Sequence, residues 1–143
     1  MDDCMQVADI LIAGRAAFMP YAPSAHPELD VRRWVQEYLI PTGQVTLAQI
    51  DDVVAGVVAT SLEEEVTWID QMWVRWTEVG QGIGSLLLAH VLQLPSTKVR
   101  LYTFQENTGA RRFYERHGFK AVKLTDGHDN EENCPDVLYE RIT

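Results

Sequence analysis

The chain has little cysteine: Cys4 and Cys134 are the only two in 143 residues. They stand far apart, and neither has a partner at metal-ligand spacing, so a disulfide framework and a thiolate zinc site are both excluded. That usage suits a reduced, cytoplasmic protein. Basic residues are also scarce. The 12 Lys and Arg stand against 21 Asp and Glu, a formal net charge of −9. A nucleic-acid partner is therefore not expected, because phosphate neutralisation needs a basic footprint. The charge suits a cationic small substrate, and equally a surface that is merely soluble. No apolar run reaches the roughly 18–20 residues that span a bilayer, so no membrane partner is expected. "MDDCMQVADILIAGRAAF" opens acidic, with no basic region before its apolar part, and does not read as a secretory signal. There is no internal repeat and no low-complexity linker. His128 and the acids around it lack ligand spacing, so no metal is expected.

What is present suits one domain over 1–143 with a core of ordinary size. Met5, Ala8, Leu11, Ile12 and Ala16 fall at helical spacing, which predicts a first helix over 5–18. "MPYAPSAHPELD", with Pro20, Pro23 and Pro27, reads as an ordered loop, and "ELDVRRWVQEYLI" as a helix ended by Pro41. "QVTLAQI", the turn "DD" and "VVAGVVATS" form a β-hairpin, and "VTWIDQMWV" a third strand. Glu63, Glu64 and Glu65 between them read as a solvated turn. A glycine-rich stretch opens a helix through about Leu92. "KVRLYTF" is a strand, "TGARRFYERHG" a helix closed by Gly118, and "FKAVKL" and "DVLYERI" two more strands. Strands 44–61 form a meander, while 66–74 and 98–104 flank a helix as in a crossover. The expected class is α+β, a mixed and mostly antiparallel sheet flanked by helices.

The stretch "EVGQGIGSLLLAHVLQL" (78–94) alternates Gly80, Gly82 and Gly84 with other residues at a helix start. Glycine lets a ligand approach the backbone closely, and a helix N-terminus supplies bare N–H groups and a positive dipole end. This suits an anion, most often phosphate; a tight turn with helix-to-sheet packing explains the same glycines. A nucleotide-hydrolysing P-loop is excluded, because Gly84 is followed by Ser85 and Leu86 rather than Lys-Ser/Thr. A Rossmann site is excluded by the antiparallel hairpin that precedes the glycines. In "FQENTGARRFYERHGF", Asn107, Ala110 and Tyr114 share one helix face, with small Ala110 leaving room between two polar groups. Phe113 is expected to point away from that face, into the core. Tyr114 is either a proton donor to a ligand or a core aromatic with its hydroxyl in water.

"VRWTEVGQGIGSLLL" followed by "NTGARRFYERHGF" resembles the acetyl-CoA-binding signature of the GNAT superfamily of N-acetyltransferases. The order of elements from Met5 to Ile142 is similar too, and "FMPYAP", "IDQMWV", "FQEN", "TDGHDNEEN" and "PDVLYE" resemble a bacterial subgroup of small members. The resemblance implies acetyl-CoA as cosubstrate and assigns roles by position. The backbone of Val79, Gly80, Gln81, Gly82, Ile83 and Gly84, with Ser85, would hold the pyrophosphate. Main-chain groups of Met72, Trp73 and Val74 would pair with the pantetheine arm, which Asn107 would also bond, beside Ala110. Tyr114 would be the general acid for the departing thiolate. Two departures stand out. Val79 occupies a position usually held by Arg or Gln, which implies weaker phosphate binding. The first strand typical of the fold is not evident before the first helix, which would leave a sheet edge bare or covered by a partner chain, as in a homodimer.

Acetyl transfer to a small-molecule or peptide amine needs a neutral nucleophile, proximity, a stabilised oxyanion and a proton for the thiolate. Asp70 is a candidate general base or amine-binding carboxylate; the alternative is a charge on a solvated strand face. Tyr21, His26 and Trp34 would line the acceptor pocket, since in the family the loop between the first two helices borders it. Two other classes fit the same residues: an acyl-CoA-binding or sensing module without turnover, which Val79 favours, and an interaction protein that uses the fold as scaffold.

Overall fold

One strand, buried on both sides, organises the molecule. A computed structural model describes residues 3–18, 28–42, 44–127 and 134–142. In chain order the helices are α1 (Asp3–Phe18), α2 (Glu28–Trp34), a π-helical stretch (Val35–Leu39), α3 (Ile40–Thr42), a 3₁₀ turn (Trp76–Glu78), α4 (Ile83–Leu92) and α5 (Thr108–Arg116). The strands are β1 (Gln44–Ile50), β2 (Val53–Glu63), β3 (Val66–Val74), β4 (Lys98–Phe104), β5 (Lys120–Leu124) and β6 (Asp136–Ile142), in sheet order β1-β2-β3-β4-β6-β5.

β2 is buried from Val54 to Thr60, which accounts for its nearly unbroken apolar sequence. Its side chains alternate between two cores. Val54, Val57 and Ala59 pack with Val7, Ile10 and Leu11 of α1 and with Val35 and Leu39. Ala55 and Val58 join Leu87, Leu88 and Val91 of α4, Tyr114 of α5, and Leu101, Val137 and Tyr139. The first helices thus cover one face of the sheet, and α4 and α5 cover the other.

Both tight hairpins use an acidic pair in left-handed backbone: Asp51 and Asp52 at φ 52° and 66°, Glu64 and Glu65 at φ 51° and 68°. Two successive positive φ values match the twist of adjoining strands. The helix expected to end at Pro41 runs on through it as α3. Proline lacks an N–H and crowds the carbonyl four residues back. The wider π turn, in which the Ile40 N–H donates to Val35 O, opens the helix just ahead of that ring.

The β3–β4 pair positions the site. It is parallel, as the crossover predicts, but it pairs only Val66–Trp68 with Lys98–Arg100. Past Trp68 the strands part, and the edge of β3 from Ile69 to Val74 faces a gap. β6 inserts between β4 and β5, antiparallel to both, an order not predicted from the sequence. Among the described residues α1 is the first element and β1 the sheet edge beyond β2. No helix among them is long and apolar enough to cross a membrane.

Candidate active site

A cavity of about 990 Å³ fills the gap between β3 and β4 and continues under the start of α4 and along α5. Its β3 wall carries Met72, Trp73 and Val74. The Trp73 ring itself packs into the α1-side core, so tightly that a Cβ on Gly14 would stand 2.7 Å from it. The end of β3 is pinned by Arg75, whose guanidinium donates twice to Val54 O and whose N–H donates to Ala55 O.

The glycine loop forms one end. Gly80 and Gly82 have φ of 90° and 83°, and a Cβ on either would meet open space. Both requirements favour glycine: a left-handed backbone and an unobstructed approach. Gly84 serves differently, because its Cβ would lie 3.3 Å from the Phe113 ring. Gly82 is the N-cap of α4, and no side chain caps it. The first N–H groups of α4 have no acceptor within the helix, so they and the helix dipole face the cavity end. Val79 and Ser85 line this end, whereas exposed Gln81 does not. The Ser85 hydroxyl is engaged: its Oγ lies 3.1 Å from His117 Nε2, and His117 Nδ1 lies 2.8 Å from Phe113 O.

α5 forms the floor, and Asn107, Ala110 and Tyr114 line it together, as their spacing predicts. Asn107 is also the N-cap of α5. Its Oδ1 accepts from the Ala110 N–H at 3.2 Å, so its amide NH₂ is the group left for a ligand. Phe113 packs against the core, as expected, but does not point away from the site. It is half-buried and lines the cavity, since the buried position on α5 belongs to Tyr114, 7% exposed. The Tyr114 ring meets Phe113 and Phe119 edge-on, with centroids 5.2 and 5.6 Å away. Its hydroxyl donates to Met72 Sδ at 3.6 Å, so it does not stand in bulk water. Burial pushes its pKa above the ordinary phenol value, which keeps the proton on the oxygen throughout the neutral range.

Asp70 lines the far end of the cavity and is exposed. Partial desolvation raises its pKa, offset in part by a hydrogen bond with Ser61. Trp34 stacks on Tyr38, with centroids 6.0 Å apart, and does not line the cavity. It sits on α2, which belongs to the helical layer beside the other core. Tyr21 and His26 lie outside the described residues. Lining residues not anticipated include Arg15, Tyr102, Phe104, Arg116 and Lys123, with Glu78 beside the glycine loop. Arg116 could have been found as the cation two residues past Tyr114. The contribution of Arg15, which lies over the Phe104 ring at 6.0 Å, depends on tertiary packing alone. Among the described residues no group of three or more His, Cys, Asp or Glu is placed to hold a metal.

The model of the acetyltransferase (GNAT) family matches residues 11–119. The chain belongs to the GNAT family. No curated protein matches it. Solved structures share its fold at low identity. PaiA N-acetyltransferase from Thermoplasma acidophilum, in complex with coenzyme A, is 16% identical with a TM-score of 0.74, over 99% of this chain and 93% of that one. Ribosomal-protein-alanine N-acetyltransferase from Brucella melitensis is 12% identical with a TM-score of 0.77, over 99% and 94%. A GNAT acetyltransferase from Elizabethkingia anophelis with acetyl-CoA bound is 21% identical with a TM-score of 0.65, over 76% and 82%. In this GNAT chain the opening of the sheet, the uncapped start of α4 and the α5 face carrying Tyr114 meet in one cavity.

Proposed function

We propose that this GNAT protein transfers an acetyl group from acetyl-CoA to a primary amine by direct attack. One observation carries the reading: a continuous cavity joins uncapped N–H groups at Gly82 to a buried phenol at Tyr114, along an unpaired edge of β3. The residues suit the cosubstrate. Open space at Gly80 and Gly82 admits a diphosphate to the backbone, and the β3 edge at Met72–Val74 offers main-chain groups to the pantetheine amides. The Asn107 amide adds a donor. The amine nitrogen attacks the thioester carbon, the C–N bond forms, the C–S bond breaks and the thiolate leaves. Tyr114 donates its O–H to that sulfur, and the proton lost by the amine passes to Asp70 or to water and restores the phenol. Burial holds the Tyr114 phenol above its ordinary value, so full transfer of its proton to the thiolate is uphill. The O–H donation to developing charge on sulfur is therefore the part that lowers the barrier. Tyr114 already donates to a sulfur, that of Met72.

Release of free CoA thiol across polyamines, amino acids, aminoglycosides and peptide N-termini tests the reading and identifies the acceptor. Turnover with one class is expected. If none is turned over while acetyl-CoA at a hundred times its dissociation constant still adds about 2.7 kcal/mol of stability, the protein is an acyl-CoA-binding module.

Val79 supports a specific expectation for affinity. Val79 is 53% exposed at the glycine-loop end, with acidic Glu78 beside it and Arg15, Arg116 and Lys123 as the cations that line the cavity. Val79→Arg is expected to tighten CoA binding severalfold in calorimetric titration, more so at low salt, where charge is less screened. Unchanged affinity would mean that a cation already lining the cavity fills the role.

A further inference from the structure

Ser85 and His117 form a relay that the proposed reaction leaves unexplained. His117 Nδ1 faces a carbonyl, Phe113 O, at 2.8 Å, and a carbonyl can only accept, so Nδ1 carries a hydrogen in either charge state. Nε2 is then an acceptor in the neutral ring and a donor in the imidazolium, and its partner at 3.1 Å is Ser85 Oγ. With a neutral ring the Ser85 O–H points at His117 and the hydroxyl offers only lone pairs to the cavity. With a charged ring Nε2 donates to Oγ, and the Ser85 O–H is free to turn toward an anion at the start of α4.

We infer that His117 is a positioning residue for phosphate binding, its protonation turning the Ser85 hydroxyl from acceptor to donor at the CoA diphosphate. The inference rests on the acetyl-CoA reading of the cavity. The ring is set between Ser85 of α4 and the Phe113 carbonyl and ring of its own helix, the ring centroids 4.6 Å apart. The charged side chains just before His117 in the chain are Glu115, whose carboxylate accepts from the Tyr139 hydroxyl, and Arg116, which lines the cavity; Arg141 of β6 stands beside Gly118, its Nε 3.0 Å from where a Cβ there would lie. Arg116 and Arg141 keep their charge across the neutral range. The polarity follows: diphosphate binding favours the imidazolium, so affinity falls as pH rises.

The test is calorimetric titration with dephospho-CoA, which lacks the 3′-phosphate monoester and its own titration near neutrality. Between about pH 5.5 and about pH 8.5 the wild type is expected to lose about tenfold in affinity, the scale of one charge-assisted hydrogen bond. His117→Gln and Ser85→Ala should each reduce that step to less than about twofold, with melting curves confirming that both variants fold. A step that persists in Ser85→Ala would overturn the relay, because the imidazolium would then act on the phosphate directly. A wild type that binds equally well at both pH values would overturn the inference and leave the cosubstrate reading standing. No binding at either pH would remove both.

Discussion

Replacing Gly82 by Asp is expected to abolish acetyl-CoA binding and leave the fold standing. Gly82 has φ 83°, caps α4 and would project a Cβ into open space, so nothing in the protein is displaced by a side chain there. Asp tolerates left-handed backbone better than most residues, which limits the strain to about 1–2 kcal/mol. The carboxylate, however, would occupy the position of the proposed diphosphate and oppose the dipole advantage of the helix start. Two unit charges about 4 Å apart near a protein surface repel by about 4 kcal/mol. Even with part of that screened by solvent, a loss of at least about hundredfold in affinity follows. Gly82→Ala adds the strain without the charge and should cost less than about tenfold. Calorimetric titration of both variants, with melting curves, separates the two effects. Equal affinities for the Asp and Ala variants would place the anion elsewhere.

Tyr114→Phe is expected to slow turnover by about 10²–10⁴-fold, the usual worth of a positioned acid. The substitution keeps the ring and its edge-on contacts with Phe113 and Phe119. It removes one long hydrogen bond, 3.6 Å to Met72 Sδ, so the stability cost should stay under about 1 kcal/mol. CoA affinity should change little, because the hydroxyl is proposed to act on charge that appears only as the C–S bond breaks. The raised pKa adds a pH expectation. A phenol held above its ordinary value in the fold stabilises the protein below about pH 10, and that stability is lost as pH rises through the folded value. Wild type should therefore lose more stability than Tyr114→Phe between about pH 10 and pH 11. Loss of folding together with CoA binding in the variant would mark Tyr114 as a core residue only. Full turnover would pass the acid role to water.

The parts of the site legible in the sequence are those written in local backbone constraints. Gly80, Gly82 and Gly84 announce a loop at a helix start open to a ligand, and Asn107, Ala110 and Tyr114 announce a shared face by spacing. Both sit in short segments whose geometry the chain sets by itself. The hairpin turn at Asp51–Asp52 and the crossover between β3 and β4 were legible for the same reason. What tertiary pairing decides was not. The insertion of β6 between β4 and β5 depends on which edges meet. Phe113 was expected to point away from the site into the core; it packs against the core but also lines the cavity, because helical spacing alone does not say which side of α5 faces the sheet, and Tyr114 takes the buried position. Asn107 reads as a ligand contact in sequence and proves also to be a cap, because its role depends on where α5 begins. Ser85 and His117 are 32 positions apart, and only the packing of α4 against α5 brings them together.

The central claim is that acetyl-CoA lies between β3 and β4 with its diphosphate on the backbone at the start of α4. Backbone amide NMR during titration of the wild type with acetyl-CoA tests it most directly. Saturable downfield shifts are expected at the N–H groups of Gly80, Gly82, Ile83, Gly84 and Ser85, with changes at Met72–Val74 and at the Asn107 side-chain amide. Saturable binding that leaves the amides of residues 80–85 unmoved, or no response at millimolar acetyl-CoA, would contradict it.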